Sequence, residues 1–337
     1  PSQYMQGTKG SHIIVDNQQL VDQLDGNMLF YENSEGRVCI LFPYFGNVLI
    51  GSTDIPVSDP ESVKCTEEEI DYILLSLKGV LPELEISRSQ IVYQFCGVRP
   101  LPSVNTSTTG QIPRSHSIKR DSIGKTKVYS LIGGKWTTFR AFGEEVADEL
   151  LASLNIERRC STKQKAIGGG ANYPANESEQ ELYLYRLRES YPYRSMHQLN
   201  VWLKRYGTKC EELLRRLDSH CDQPLRSLPE YTIGEINYIL QTEFVATTLD
   251  VILRRTSIAI EGKLDSQVFD ELSELVATHF NWSETEKIAD RESAQEVLFN
   301  LHGVVLDQPL SHSEAVTRTK IIENEQLVNG EEYVFNQ

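Results

Sequence analysis

The chain has 337 residues, 33 Lys plus Arg against 48 Asp plus Glu, and a formal net charge of −15. That length calls for more than one domain, most simply two. The acidic balance excludes nucleic acid as the main partner and disfavours adsorption to acidic lipid through bulk charge, but it leaves room for one basic pocket that takes an anionic metabolite.

The chain opens at Pro1 and enters the strand-like run Ser11-His12-Ile13-Ile14-Val15 almost at once, which is expected of a chain whose N-terminal portion is absent. From Thr8 to Leu131 the sequence is strand-rich, with candidate strands at His12–Asp16, Val38–Pro43, Val48–Thr53, Ile91–Leu101, Gln111–Ile118 and Val128–Ile132. Gly46-Asn47 between two apolar runs reads as a hairpin turn. Thr66-Glu67-Glu68-Glu69 is an N-terminal capping signature, and Ile70, Ile73, Leu74 and Leu77 continue at helical spacing. Val104 to Gly110 reads as a polar loop.

Gly133-Gly134-Lys135-Trp136-Thr137-Thr138-Phe139-Arg140 follows the last strand and opens a helix to Ser153. The triple glycine Gly168-Gly169-Gly170 lacks the Lys-Ser/Thr of a phosphate loop and reads as part of a linker over residues 161–178. Helical spacing then recurs near Glu179–Ser190, Ser195–Tyr206, Cys210–Leu217, Ile233–Phe244, Thr248–Arg255, Ser266–Phe280 and Ser283–Leu301, giving a small all-helical domain over residues 179–310. Residues 311–337 form a polar tail.

The cysteines Cys39, Cys65, Cys96, Cys160, Cys210 and Cys221 show no C-x-x-C and no zinc-like spacing with histidine. They read as reduced thiols of an intracellular protein, and no metal is expected. Cys39 to Gly51, the longest apolar stretch, is broken by Pro43 and Asn47 and is too short to span a bilayer.

Five short constellations carry chemistry. Gly133 and Gly134 let backbone approach a ligand, while a helix start, Lys135 and the hydroxyls of Thr137 and Thr138 favour a phosphate or a reduced flavin ring; the alternative is a glycine turn feeding a capped helix. In Lys9-Gly10-Ser11-His12, the histidine at the start of a strand is either a hydrogen-bonded structural residue or a proton-transfer group near neutral pH. In Gly51-Ser52-Thr53-Asp54, Asp54 either bonds nearby backbone in a turn or meets a ligand. In Gly97-Val98-Arg99-Pro100-Leu101, the guanidinium on an apolar strand needs an anion, from the protein or from a ligand. Arg114-Ser115-His116 on the next strand offers a second guanidinium, and with Arg99 it could form a fork for phosphate or carboxylate.

Taken together and in this order, these segments resemble the FAD-dependent glycerol-3-phosphate dehydrogenases, and Gly234-Glu235-Ile236-Asn237-Tyr238, Thr242-Glu243-Phe244 and Asp250-Val251-Ile252-Leu253-Arg254-Arg255-Thr256 resemble that family's helical C-terminal domain. The resemblance implies an α+β fold. Residues 1–160 would be a substrate-binding cap with a mixed or antiparallel sheet, plus a returning FAD-domain helix, and the all-helical domain would follow. The Gly-x-Gly-x-x-Gly unit that grips the FAD pyrophosphate in that family does not occur in this sequence.

The implied reaction oxidises sn-glycerol 3-phosphate to dihydroxyacetone phosphate, with electrons passed to quinone. Arg99 and His12 would be the catalytic residues, and Arg114, Lys135 and Thr53 would contact substrate. Gly133, Gly134, Lys135, Trp136, Thr137 and Thr138 would contact FAD. Peripheral association with the inner face of a membrane, a cytoplasmic location and a homodimer are compatible with the resemblance. The alternatives are a glycerol-3-phosphate oxidase, another flavin oxidoreductase of the same superfamily, and a non-catalytic interaction module.

Overall fold

A computed structural model describes residues 4–103, 112–217 and 222–306. The Val104 to Gly110 loop, Cys221 and the polar tail lie outside the described residues.

The organising element is β1 (Met5–Val15), the central strand of an antiparallel sheet. On one side it pairs with β4 (Asn47–Gly51) through His12 to Val15 and with β5 (Ile55–Val57) through Gly7 to Lys9. On the other side it pairs along its whole length with β6 (Ile91–Pro102). The outer strands β2 (Leu29–Glu32) and β3 (Val38–Tyr44) extend the sheet beyond β4.

Period-2 alternation divides β1 between two tasks. Ile13 and Val15 point to one face and pack with Leu41, Val48 and Ile50 beneath α1 (Gln18–Leu24) and α2 (Glu67–Lys78). Ile14 points to the other face and packs, with Leu49 and Tyr93, into the core of the helical half. Gly10 and His12 share that second face.

The capping signature of α2 forms as expected. Thr66 caps Glu69 N–H, and the Glu69 carboxylate accepts from Thr66 N–H at 3.0 Å. The same carboxylate is 3% exposed and reaches the sheet. It pairs with Lys9 Nζ at 2.6 Å and accepts hydrogen bonds from Ser11 Oγ at 2.9 Å and Thr53 Oγ1 at 2.7 Å. Burial pushes the Glu69 carboxyl up, but Lys9, Thr53, Thr66 and Ser11 outweigh it and hold it below the usual carboxylate range.

Several expected boundaries move. The β3–β4 turn is Phe45-Gly46, one residue earlier than expected, because Tyr44 pairs with Asn47 and both loop residues take positive φ, 50° and 85°. The strand expected at Gln111–Ile118 is β7 (His116–Ile123), paired antiparallel with β8 (Thr126–Gly133) across a turn at Gly124. Arg114 therefore precedes the strand instead of lying on it, and Gln111 is outside the described residues. A 3-10 turn over Trp136–Thr138 leads into α3 (Phe139–Ser153), which packs on the hairpin through a His116–Phe142 ring stack and an Arg120–Glu149 ion pair.

The linker's triple glycine forms a 3-10 turn whose Gly169 lies against the Tyr206 and Gly207 backbone, where no side chain fits. The helical half contains α4 (Glu177–Ser190), α5 (Met196–Tyr206), α6 (Cys210–Arg216) and α7 (Ile233–Thr242). A π-helical turn at Asp250–Arg255 follows, then α8 (Ser266–Phe280) and α9 (Glu284–His302). Among the described residues no helix is long and apolar enough to cross a membrane.

Removing the Glu69 carboxylate strands the Lys9 ammonium in a site where it is 9% exposed. Glu69→Ala should therefore destabilise the fold by about 3–5 kcal/mol, with Glu69→Gln losing less, as measured by urea unfolding.

Candidate active site

On the face of β1 that α2 does not cover, cross-strand register sets four positions side by side. Arg99 stands opposite Thr8, Gly97 opposite Gly10, Phe95 opposite His12, and His12 is also opposite Gly51 on β4. The glycines make the space. A Cβ at position 10 would stand inside the Arg99 guanidinium, and one at position 51 would stand inside the His12 ring. Glycine within a strand marks a close approach, and here each one cradles a side chain.

Arg99 is held by the segment that follows β4. Its Nη1 pairs with Asp54 Oδ1 at 3.0 Å, its Nη2 donates to Ser52 Oγ at 3.0 Å, and both reach the Thr53 carbonyl oxygen. Asp54 is thus more than a turn residue. Its carboxylate, 3% exposed, also takes Arg37 Nη1 on Oδ2 at 3.1 Å, while Arg37 Nη2 donates to the Ser52 carbonyl oxygen. Among the described residues, two guanidiniums share one carboxylate. Burial lowers the Arg99 pKa, Asp54 opposes this, and the charges of Arg114 and Arg37 add to the lowering. The Arg114 charge therefore bears directly on Arg99.

His12 lies in the body of β1, not at its start. Its ring stacks on Phe95 with centroids 5.1 Å apart and planes 11° from parallel, and its buried Nδ1 has no hydrogen-bond partner among the described residues. Burial first and the Arg99 charge second push its pKa down to about 4. This corrects the expectation of a group titrating near neutrality: in the free chain, His12 is a neutral imidazole at pH 7.

Thr53, expected as a substrate contact, is 3% exposed. Its hydroxyl donates to Glu69 and accepts from Ser11 N–H at 2.9 Å, so it anchors the Ser52–Asp54 segment from inside. The Thr138 hydroxyl is also committed, accepting from Lys135 N–H and donating to the Lys135 carbonyl oxygen, both at 3.0 Å. That bond closes the turn after Gly133 and Gly134, which take φ of 71° and 100°.

A Cβ on Gly133 would meet the Ser115 carbonyl oxygen at 2.6 Å and the Pro102 ring at 3.4 Å. The backbone therefore brings together the end of β6, the segment carrying Arg114, and the turn carrying Lys135. Arg114, Lys135 and Thr137 are exposed, and neither Arg114 nor Lys135 has an ion-pair partner among the described residues. Trp136 is 90% exposed beside a half-exposed Phe139.

Arg37, Ser52 and Phe95 were not singled out from sequence. Their roles depend on pairing with Asp54, Arg99 and His12 across strands, and no local pattern announces that. The strand glycines Gly10 and Gly51 were the available signal.

Comparison with known proteins places this geometry. Residues 2–149 match the family described as FAD dependent oxidoreductase, and residues 160–287 match the C-terminal domain of alpha-glycerophosphate oxidase. The glycerol-3-phosphate dehydrogenase of Synechocystis sp. is 28% identical over 287 residues, covering 82% of this chain and 50% of that protein. The aerobic glycerol-3-phosphate dehydrogenase of Escherichia coli is 29% identical over 262 residues, covering 77% of this chain and 50% of that protein.

Along most of its length the chain is similar to glycerol-3-phosphate dehydrogenases. It spans about half the length of the curated relatives it matches. The fold agrees with that likeness: the glycerol-3-phosphate dehydrogenase from Bacillus halodurans, solved with FAD, superposes with a TM-score of 0.70 at 23% identity, covering 88% of this chain and 57% of that chain. The α+β architecture expected from the sequence is the one observed.

The depressed His12 pKa has a sign. An unfolded histidine titrates near 6.5, so between about 4 and 6.5 the unfolded chain binds the extra proton. His12 should remain neutral in an imidazole NMR titration down to about pH 4. Its contribution to folding stability is complete above pH 6.5 and is lost as pH falls through that window, which wild type and His12→Gln compared by urea unfolding at each pH would reveal.

Proposed function

We propose that this chain supplies the substrate side of an FAD-dependent oxidation of sn-glycerol 3-phosphate to dihydroxyacetone phosphate, with electrons passed to a quinone. The observation that carries the reading is the pairing of a neutral, partly orphaned imidazole with a guanidinium on one sheet face, beside two exposed cations that lack partners among the described residues. The two family matches and the names of the relatives support it.

The turn at residues 133–138 fits a flat cofactor ring. Two glycines at positive φ keep its backbone bare, and Trp136 and Phe139 present open aromatic surface. Gly133, Gly134, Lys135, Trp136 and Thr137 would hold the ring, with Thr138 bracing the turn. Bound FAD supplies the two-electron acceptor for the carbinol hydrogen.

The protein's own groups handle charge and protons. Arg114 and Lys135 bind the phosphate. Arg99, kept rigid by Asp54, Ser52 and the Thr53 carbonyl, stabilises negative charge as it develops on the carbinol oxygen. His12 orients the hydroxyl and accepts its proton on Nε2, its Nδ1 being buried. A pKa of about 4 makes it a weak base in the free chain, and an arriving phosphate dianion raises it by countering Arg99. A quinone acceptor resides in lipid, so the intact protein would work at a membrane surface.

In the full-length protein, Arg99→Ala should lower kcat by about 100-fold or more while bound flavin, read by absorbance, stays within about 20% of wild type. Equal turnover would remove Arg99 from the reacting oxygen. Lys135→Ala should raise KM for glycerol 3-phosphate by about 10-fold or more and leave the weak oxidation of glycerol within about 3-fold, as measured by dye reduction. An unchanged preference between the two alcohols would take Lys135 out of the phosphate site.

A further inference from the structure

A histidine that handles a proton usually has its ring fixed by a hydrogen bond from the other nitrogen to a carboxylate or carbonyl. Among the described residues His12 has no such bond, for its Nδ1 is buried and unpartnered. Something else must set the ring plane. On one side the imidazole lies over the bare Cα of Gly51; on the other it stacks on Phe95 at 5.1 Å and 11°.

Phe95 is held in turn. Tyr93, two residues back on the same face of β6, lies 6.1 Å from Phe95 at a 40° tilt. The other neighbour of Tyr93 is His302 at the end of α9, stacked at 4.7 Å with planes 9° apart. His302 Nδ1 lies 3.1 Å from the Gln94 carbonyl oxygen, on the residue between the two rings. The next residue, Gly303, takes a left-handed φ of 65° and closes against the Gln94 side chain, where a Cβ would stand 3.1 Å away. The last turn of α9 is therefore docked onto the stretch of β6 that carries Tyr93, Gln94 and Phe95.

We infer that Phe95 is the positioning residue that sets the imidazole plane of His12, and that the helical half, through His302 and Tyr93, buttresses it. The inference deepens the proposed function, since it rests on His12 acting at the substrate hydroxyl. It gives the C-terminal helices a task in the chemistry of the sheet. Their last helix fixes, through a row of four rings, the direction in which the His12 ring edge faces. The charged group facing His12 is Arg99 from β6, backed by Asp54 and Arg37, and the charge acting on His302 is that of Arg254.

The test uses the full-length protein and three variants: Phe95→Leu, which keeps apolar bulk but loses the flat face; Phe95→Tyr, which keeps it; and His302→Leu. For each, the His12 imidazole is followed by NMR titration, assigned against His12→Gln, and kcat and KM for glycerol 3-phosphate are measured beside thermal unfolding. Phe95→Leu should lower kcat by about 10- to 100-fold with KM within about 3-fold, because a tilted ring misplaces a proton-handling atom without touching the phosphate grip. It should also raise the His12 midpoint from about 4, as water reaches the uncovered ring. Phe95→Tyr should restore both, and His302→Leu should move both the same way by less, about 3- to 10-fold in kcat.

A lower melting temperature in Phe95→Leu with wild-type kcat and an unmoved His12 midpoint would make the stack merely structural and overturn the inference, as would failure of Phe95→Tyr to rescue. The titration needs no substrate. If the wild type does not oxidise glycerol 3-phosphate, the proposed function fails by itself, and the positioning of His12 is decided by the titration alone.

Discussion

A guanidinium set into the face of a β-sheet is the constraint on which this site depends. Arg99 is half withdrawn from water, and an unpaired charge there would be costly. Three requirements follow, and the structure meets each with a different segment. Flat space beneath the charge comes from Gly10. A counter-charge comes from Asp54, which is nearly fully buried and must itself be held. Hydrogen bonds for the remaining donors come from Ser52 and the Thr53 carbonyl. The segment supplying all but the first is anchored through the Thr53 hydroxyl to Glu69, on the far side of the sheet. Position therefore passes from α2 to Glu69, to Thr53, to Asp54, to Arg99, and through the Arg99 charge to the proton affinity of His12.

The two sides of β1 explain why four adjacent residues can serve two purposes. Lys9 and Ser11 turn toward α2 and bond Glu69, while Gly10 and His12 turn toward the site. A slip of one residue would put the Lys9 ammonium where the site needs bare backbone and bury His12 against α2. The register is secured on both faces at once, by Ile13 and Val15 beneath the helices and by Ile14 in the core of the helical half. Residues of the candidate site and residues of the core are thus interleaved along one strand, and they cannot be assigned to separate stretches of sequence.

This interleaving also sets what was readable beforehand. Elements whose cause is local were legible: the α2 cap at Thr66, the helical spacing from α4 onward, and the strands β1, β3, β4, β6 and β8. The short pieces α1, β2 and β5 were missed because few residues carry each pattern, and β7 was displaced because its pairing with β8 outweighs the apolar run before it. The Arg99 side chain could be recognised as needing an anion, but not which one. Asp54 lies 45 residues away, and the second guanidinium on it, Arg37, belongs to a turn with no signal of its own. Thr53 was expected as a contact from the resemblance alone, and its hydroxyl is instead taken up by Glu69 and Ser11. The pKa of His12 depends on burial and on Arg99, so a histidine's ordinary titration was a poor guide.

The distribution of charge bears on why the proposed substrate, a phosphorylated alcohol, would suit such a site. The chain as a whole is acidic, yet the charges of Arg37 and Arg114 act on Arg99, and the turn that carries Lys135 lies beside the segment that carries Arg114. Their solvation is graded. Arg37 and Arg99 are partly withdrawn from water and share Asp54, whereas Arg114 and Lys135 are exposed. A ligand with a dianion at one end and a neutral carbinol at the other matches that gradient. Its phosphate would meet the exposed cations, and its hydroxyl a guanidinium whose position is already fixed. Reversing the ligand would press the dianion toward the buried Asp54 carboxylate and leave the exposed cations facing a neutral group, so under the proposed function the gradient would orient the substrate as well as bind it.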